Sequence, residues 1–410
     1  MKTFTYTLNS QNIDSIIDFS LFRNEKNILI QIFCGEKKEI LENIINLLGK
    51  KLPQAVCIGS STDGEINNEN ITTLKTIITI SIFYKTTLEA TYVQGNDSFK
   101  NGQKLASTLC KDDTQLIITF TDSKKTNGEE FLNGISSINN KVVISGGMAG
   151  DNANFTQTFI SYQNKILTHG AVGVALNSKT LKVCNAYNFN WSAIGIEHII
   201  EEAKANRVYK ISGLTPLDFY KKYLGDYVAK ALPATGIEFP LIVQKNGIPL
   251  ARAVIAKHKD GSLTFAGNLH KGDIVKLGFG NVELIMNNPL KSLFHKYNIE
   301  DTETFFIYTC MARRRYMPDL IDIEIKPFSK IAPTAGFFTY GEFYHHNGKN
   351  ELLNQTLTIL ALSEKDDVNY EAPSIIHDEN TKLSDHAKSL QALTHLIQQS
   401  SSDYNAQSKE

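Results

Sequence analysis

One short pattern occurs at two distant places in this chain, and it limits the possible folds more than any other feature. "VCIGSSTDGEI" and "PTAGFFTYGEF" share G-x4-G-E, with Gly59, Gly64 and Glu65 in one and Gly336, Gly341 and Glu342 in the other. Each copy follows an apolar, strand-like stretch and leads into an alternating strand, "LKTIITISIF" or "NQTLTILALS". A looser relative is "ISGGMAGDNANF", where Gly147, Gly150 and Asp151 carry the glycines and the acid. Glycine at a strand end permits positive φ or close backbone approach, and the N–H groups it exposes can hold an anion. The pattern implies two related halves facing each other through similar loops. With 26 glycines in the chain, chance recurrence is the alternative.

Strands and helices alternate through the first 150 residues. "NILIQIF" (27–33), "QAVCIG" (54–59), "TIITISIF" (76–83), "QLIITFT" (115–121) and "KVVISGG" (141–147) read as strands, and 38–50 and 127–138 as amphipathic helices. From about 155 to 280 the apolar runs shorten and the punctuation thickens, as in an antiparallel meander. A helix over 282–298, a strand over 304–312 and the strands "TAGFFTYGEF" and "QTLTILALS" complete the globular part near Ser363. The fold class expected is α/β with mixed sheets, in two pseudo-repeated halves with a C-terminal coiled-coil-like helix. The length suits two or three domains.

Composition excludes several functions. Lys and Arg number 42 against 43 Asp and Glu, so charge offers no hold for nucleic acid or an anionic membrane. No stretch of about 18 apolar residues appears and the N-terminus lacks a signal-peptide pattern, which points to the cytoplasm and no membrane span. The five cysteines lack CxxC spacing and suit reduced thiols. No Gly-Lys-Ser/Thr follows Gly64, which excludes a P-loop. Ser60, Ser61 and Thr62 lack the G-x-S-x-G of a nucleophile elbow. No catalytic set emerges, so the chain reads as a binding protein; an enzyme of undetected type is one alternative.

Two cationic features stand out. Arg252 lies inside the apolar "PLARAVIA", where a charge must face water or find a partner, and it is the preferred ligand-facing cation. "TCMARRRYM" places Cys310 before Arg313, Arg314 and Arg315, where one guanidinium can hold a carboxylate in bidentate fashion. Any single arginine there also reads as a solvated turn, and Cys310 as a buried structural thiol. Trp191, the only tryptophan, reads either as an aromatic wall or as plain packing. The histidines show no HxxxH or HExxH spacing for a metal, although one proximal imidazole, His169 or His345, suffices for haem.

Together "CIGSSTDGEI", "ISGGMAGDNANFTQTFISYQNKILTHGAVGVAL", "ARAVIAKHKDGSLTFAGNLHKGDIVKL", "CMARRR" and "PTAGFFTYGEFYHHNGKNELLNQTLTILAL" resemble the FIST family, F-box and intracellular signal transduction proteins. The resemblance covers almost everything up to Ser363, with an N-terminal region over 25–225 and a C-terminal region over 226–365. The family often has cysteine where Ser60 stands and glycine where Ala312 stands, which weakens any thiol chemistry at the first loop. The resemblance implies an intracellular sensor that binds a small, amino-acid-like ligand and signals to a histidine kinase, diguanylate cyclase or chemoreceptor output module. No cofactor is required by it; haem, as in a nitric-oxide-sensing branch, is the alternative. The expected site lies between the loops at 59–65, 146–151 and 336–342. It takes in Gly59, Ser60, Ser61, Thr62, Gly64, Glu65, Gly147, Asp151, Tyr340, Gly341 and Glu342, with Trp191, Arg252, Cys310 and Arg313 around them. Glu65 and Glu342 would accept from an amine while Arg252 or Arg313 holds a carboxylate.

The tail adds a partner expectation. Ile376, Leu383, Leu390, Ile397 and Tyr404 recur every seven residues, with Leu393 and Ala387 in the second seam and His386 and Ser400 weakening it. Residues 374–410 therefore read as a signalling coiled coil that makes a homodimer, and the chain as a sensor fragment or one working through a separate partner.

Overall fold

The computed structural model describes residues 1–8, 13–281, 284, 301–316, 318, 321–366, 388–389, 391–397 and 399–400. The α/β class with mixed sheets is what the chain adopts, and its repeat occurs three times. In the first sheet Asn27–Cys34 runs parallel to Val56–Ser61, Thr76–Phe83 joins antiparallel on the far side, and Lys2–Leu8 forms the edge. The second sheet repeats this plan with Thr114–Thr121, Val143–Met148, Ala171–Asn177 and Thr87–Val93. The third does so with Thr304–Cys310, Thr334–Thr339, Thr356–Ser363 and Lys182–Phe189. The two related halves expected from the sequence are thus three related sheets, the third of which takes strands from both ends of the chain.

Each sheet is completed by a hairpin from another. The hairpin after Val56–Ser61 (Glu65–Asn67 with Asn70–Thr72) pairs with the third sheet. The one after Val143–Met148 (Ile160–Tyr162 with Lys165–Leu167) pairs with the first, and the one after Thr334–Thr339 (Glu342–His346 with Lys349–Leu353) with the second. "TAGFFTYGEF" is therefore not one strand: it breaks at Tyr340–Gly341 because its two halves serve different sheets.

The exchange explains three glycines. Gly59, Gly146 and Gly336 pair with the second residue of the incoming hairpin, Ser161, Phe343 and Ile66. A Cβ on them would stand 3.1, 2.0 and 1.7 Å from the carbonyl oxygens of Ile32, Thr119 and Ile307 on the parallel neighbour. The counterpart of Gly59 in the third copy is thus Gly146 rather than Gly147. Gly147 instead matches Ser60 and Phe337, which pair with Glu342, Ile160 and Glu65 respectively.

The inner faces of the three sheets share one core. Phe33, Phe120 and Tyr308 occupy equivalent positions beside Ser60, Gly147 and Phe337. Phe337 lies 5.2 Å from Phe33, 5.4 Å from Phe120 and 5.8 Å from Tyr308 between ring centroids. Only one copy of that position carries a ring, and the small Ser60 and Gly147 leave room for it in a close-packed centre. The outer faces are covered by Lys38–Lys51 on the first sheet, by Ser98–Leu109 and Gly128–Ile138 on the second, and by Ile321–Ser329 on the third.

Between Lys182–Phe189 and Thr304–Cys310 the chain builds a separate antiparallel sheet of seven strands, from Trp191–Lys204 to Ile274–Gly280, packed on the helix Pro216–Ala231. The meander expected over 155–280 is this sheet from Trp191 onward; the strands from Ile160 to Phe189 belong to the three core sheets. The helix expected over 282–298 lies outside the described residues apart from Leu284, as do Ile376, Leu383, His386, Ala387, Leu390 and Tyr404 of the heptad pattern. Residues 391–397 are helical, with Leu393 52 % exposed.

Replacing Gly336 by Ala is expected to cost about 3 kcal/mol or more, because the methyl overlaps a backbone carbonyl that has nowhere to move. Gly49→Ala, in the helix Lys38–Lys51 with nothing within 4 Å of its Cβ, is expected to stabilise by about 0.5–1 kcal/mol. Urea unfolding of the two variants against the parent chain measures both.

Candidate functional site

The three loops that leave the parallel strands meet in a closed ring of backbone hydrogen bonds. Asp63 N–H donates to the Phe338 carbonyl (2.9 Å), Tyr340 N–H to Met148 (3.0 Å) and Gly150 N–H to Ser61 (2.9 Å). The return bonds run from Phe338 N–H to Gly64, Met148 N–H to Gly341 and Ser61 N–H to Phe159, each 2.8 Å. Equivalent positions on this ring carry Asp63, Tyr340 and Gly150, so a symmetric backbone presents three different chemistries.

Asp63 is the electrostatic centre. It is fully buried, and an isolated carboxylate there would be costly. Its carboxylate accepts from Arg314 Nη2 at 2.6 Å, from Arg315 Nη2 at 3.1 and 3.3 Å, and from the Tyr340 hydroxyl at 3.4 Å. The Tyr340 hydroxyl also contacts Asp151 Oδ1 at 2.5 Å and accepts the N–H groups of Asp151 and Ala153. Arg314 lies over the Phe338 ring, and its Nε has no partner among the described residues. Arg315 is more than a third exposed, so its guanidinium reaches both Asp63 and solvent.

The acids of G-x4-G-E point inward. The Thr62 hydroxyl donates to Glu65 (2.6 Å) and the Thr339 hydroxyl to Glu342 (2.5 Å), each closing its own T-x-G-E turn. Glu65 also accepts from Thr72 and from the Lys75 N–H. Burial pushes its carboxyl up to about 7, against the downward pull of those donors and Arg314. Burial pushes Glu342 well above the carboxylate range. Gly64, at φ +125°, makes the first turn possible. Gly341 is not in the left-handed region, and the nearest atoms a Cβ there would meet are the side-chain ends of Leu352 and Met148.

The structure places Arg252 and Arg313, the two cations expected to face the ligand, away from the ring and in bonds within the protein. Arg252 is fully buried and bonded to Glu129, to the carbonyls of Leu352, Ala251 and Asn268, and to Asn354, so it ties the inserted sheet to the second sheet. Arg313 is equally buried, paired with Glu324 and bonded to the Gln355 carbonyl, with its guanidinium 5.6 Å from the Trp191 ring. Trp191 is accordingly buried wall rather than loop neighbour. Burial raises the Cys310 thiol far above its ordinary range, which removes thiolate chemistry. Ser60 and Gly147 lie in the core, and the Ser61 hydroxyl accepts the Phe159 N–H. His345 sits in the hairpin Glu342–His346 with Nδ1 2.7 Å from Asn350 Oδ1, and His169 in the turn before Ala171–Asn177; neither belongs to the ring. Among the described residues no group of three His, Cys, Asp or Glu could hold a metal ion.

Sequence reasoning left Asp63 out of the candidate residues and, of the three arginines, named Arg313, which the structure places against Glu324 rather than on the ring. The signal was present in the run itself: in the helix Met311–Tyr316, the turn that sends Arg313 inward sends Arg314 and Arg315 toward the loops.

Glu65 sets a pH dependence. Its folded pKa of about 7 exceeds the ordinary 4.5, so the native state binds the proton more tightly. Stability from this group is complete below about pH 4.5 and is lost as pH rises toward 7, by up to about 3 kcal/mol. Glu65→Gln is expected to remove that component, so its stability difference from the parent should change across pH 4.5–7 and flatten above. Urea midpoints at a series of pH values check this.

Family comparison agrees with the repeat-bearing segments. The model of the FIST N domain matches residues 28–214 and that of the FIST C domain residues 216–345. Their boundary falls inside the inserted sheet, whereas the third core sheet draws Lys182–Phe189 from one match and Thr304–Cys310 from the other. No curated protein matches the chain. Among the described residues no helix is long and apolar enough to cross a membrane. The chain belongs to the FIST family of signal-transduction sensor domains.

Proposed function

We propose that this sensor binds a small amino-acid-like zwitterion at the ring of loops, in the cytoplasm, and passes the signal to a linked or partner kinase, cyclase or chemoreceptor. The observation that carries this reading is the buried Asp63 carboxylate held between two guanidiniums and a phenol, where backbone from all three sheets converges. A ligand carboxylate has the half-exposed Arg315 to bind, and Arg314 Nε offers a further donor. A ligand amine has the part-exposed Asp151 as acceptor, joined to Asp63 through the Tyr340 hydroxyl. Because each loop hydrogen-bonds into a neighbouring sheet, a ligand that changes the loops biases the packing of all three sheets together. The output route proposed is a homodimer formed through the heptad-bearing segment 374–410, where the exposed Leu393 offers an apolar contact.

In a thermal-shift panel of the common amino acids, the binder is expected to lose its shift in Arg315→Ala and in Asp63→Asn. Removing one partner of such a charged contact costs about 2–5 kcal/mol of binding. Glu342→Gln is expected to keep the shift, since that acid faces the interior. Retention of the full shift in both ring variants would refute the site.

Sedimentation at tens of micromolar should show a dimer for the whole chain and a monomer for a version ending at Pro373, the range in which weak coiled coils assemble.

A further inference from the structure

We propose that Phe155 occupies the place of a ligand ring, and that the site selects small acids carrying a flat unsaturated ring beside the carboxylate. The inference rests on the ring-centred ligand reading above and adds the ligand's chemical class. Phe155 stacks on Tyr340 with centroids 5.0 Å apart and planes 27° apart, yet is 46 % exposed. A lone exposed phenylalanine is ordinary. This one, however, covers the phenol that bonds both Asp63 and Asp151.

The segment that carries it has no counterpart in the other two copies. There, Thr62 and Thr339 reach Glu65 and Glu342 in a tight turn, whereas Ile160, the residue in the place of those acids, comes only after a longer excursion through 149–159. Within it Asn152, Ala153 and Phe155 all stand at positive φ (53°, 56° and 51°). L-residues adopt that region at a cost, so the segment is held by specific bonds rather than by preference. Asp151 supplies most of them, accepting the N–H groups of Phe155, Thr156 and Gln157, and Lys124 Nζ donates to the Phe155 carbonyl. The hydrogen bonds that hold the segment at Phe155 all use its backbone, so its phenyl ring can turn away from Tyr340 without breaking them.

A planar ligand ring that replaces it regains the same stacking on Tyr340, while its carboxylate meets Arg315. A puckered aliphatic ring of equal size displaces Phe155 without regaining the stack. The difference corresponds to a preference of about 2- to 10-fold for the planar acid.

Benzoate and cyclohexanecarboxylate make the test, since both are single-ring monoacids and differ chiefly in planarity. Calorimetric titration of the whole chain is expected to show benzoate binding about 2- to 10-fold more tightly. Phe155→Ala is expected to tighten benzoate binding by a similar factor, because the internal competitor is gone, and Arg315→Ala to abolish it. Equal affinity for the two acids, an unchanged benzoate affinity in Phe155→Ala, or no binding of either acid overturns the proposal. If both acids bind equally but are lost in Arg315→Ala, only the planar-ring inference falls and the ring of loops remains the site. If binding survives both Arg315→Ala and Asp63→Asn, the site itself is elsewhere and both readings fall.

Discussion

Six backbone hydrogen bonds, three outgoing and three returning among the loops at 61–64, 148–159 and 338–341, hold the centre of this molecule together. They exist because each parallel strand ends by sending its hairpin to a neighbouring sheet, so that no sheet is complete without another's chain. A buried N–H or carbonyl without a partner costs about as much as a lost hydrogen bond, and here each loop satisfies the next. The exchange requires backbones to pass closely, and Gly59, Gly146 and Gly336 are the positions where they do.

Equivalent positions of this symmetric scaffold carry different chemistry. Around the ring they are Asp63, Tyr340 and Gly150, and one layer deeper Ser60, Phe337 and Gly147. The deeper layer differs because the axis has room for one phenyl ring. The outer layer gathers an acid, a phenol and a bare backbone position, with Arg314 and Arg315 supplied from the helix Met311–Tyr316. All four arginines discussed pair with buried acids. Arg313 with Glu324 secures the third sheet and Arg252 with Glu129 secures the inserted sheet, which leaves Arg314 and Arg315 with the ring.

The two T-x-G-E turns share one kind of hydroxyl partner but differ in their surroundings. Glu342 is locked within its turn, and burial pushes its carboxyl well above the carboxylate range. Glu65 has the same hydroxyl partner but lies beside Arg314, and its titration falls near neutrality.

Local periodicity made the strands at 27–34, 56–61, 76–83, 114–121 and 143–148 and the helices beside them legible, because alternation and helical spacing follow from short-range geometry. The G-x4-G-E repeat was legible for the same reason: two copies kept both glycines and the acid. The third copy was obscured by Ile160 in the place of the acid and by the excursion through 149–159, so the threefold plan was read as twofold. Which sheet a hairpin joins is decided by pairing between residues hundreds of positions apart, as in Glu65 with Phe337, and no window of sequence contains that choice. The same holds for charge. That "RRR" would matter was written in the chain, but whether Arg313, Arg314 or Arg315 meets the loops depends on where its helix docks. Burial then assigned Glu324 to the first and Asp63 to the other two.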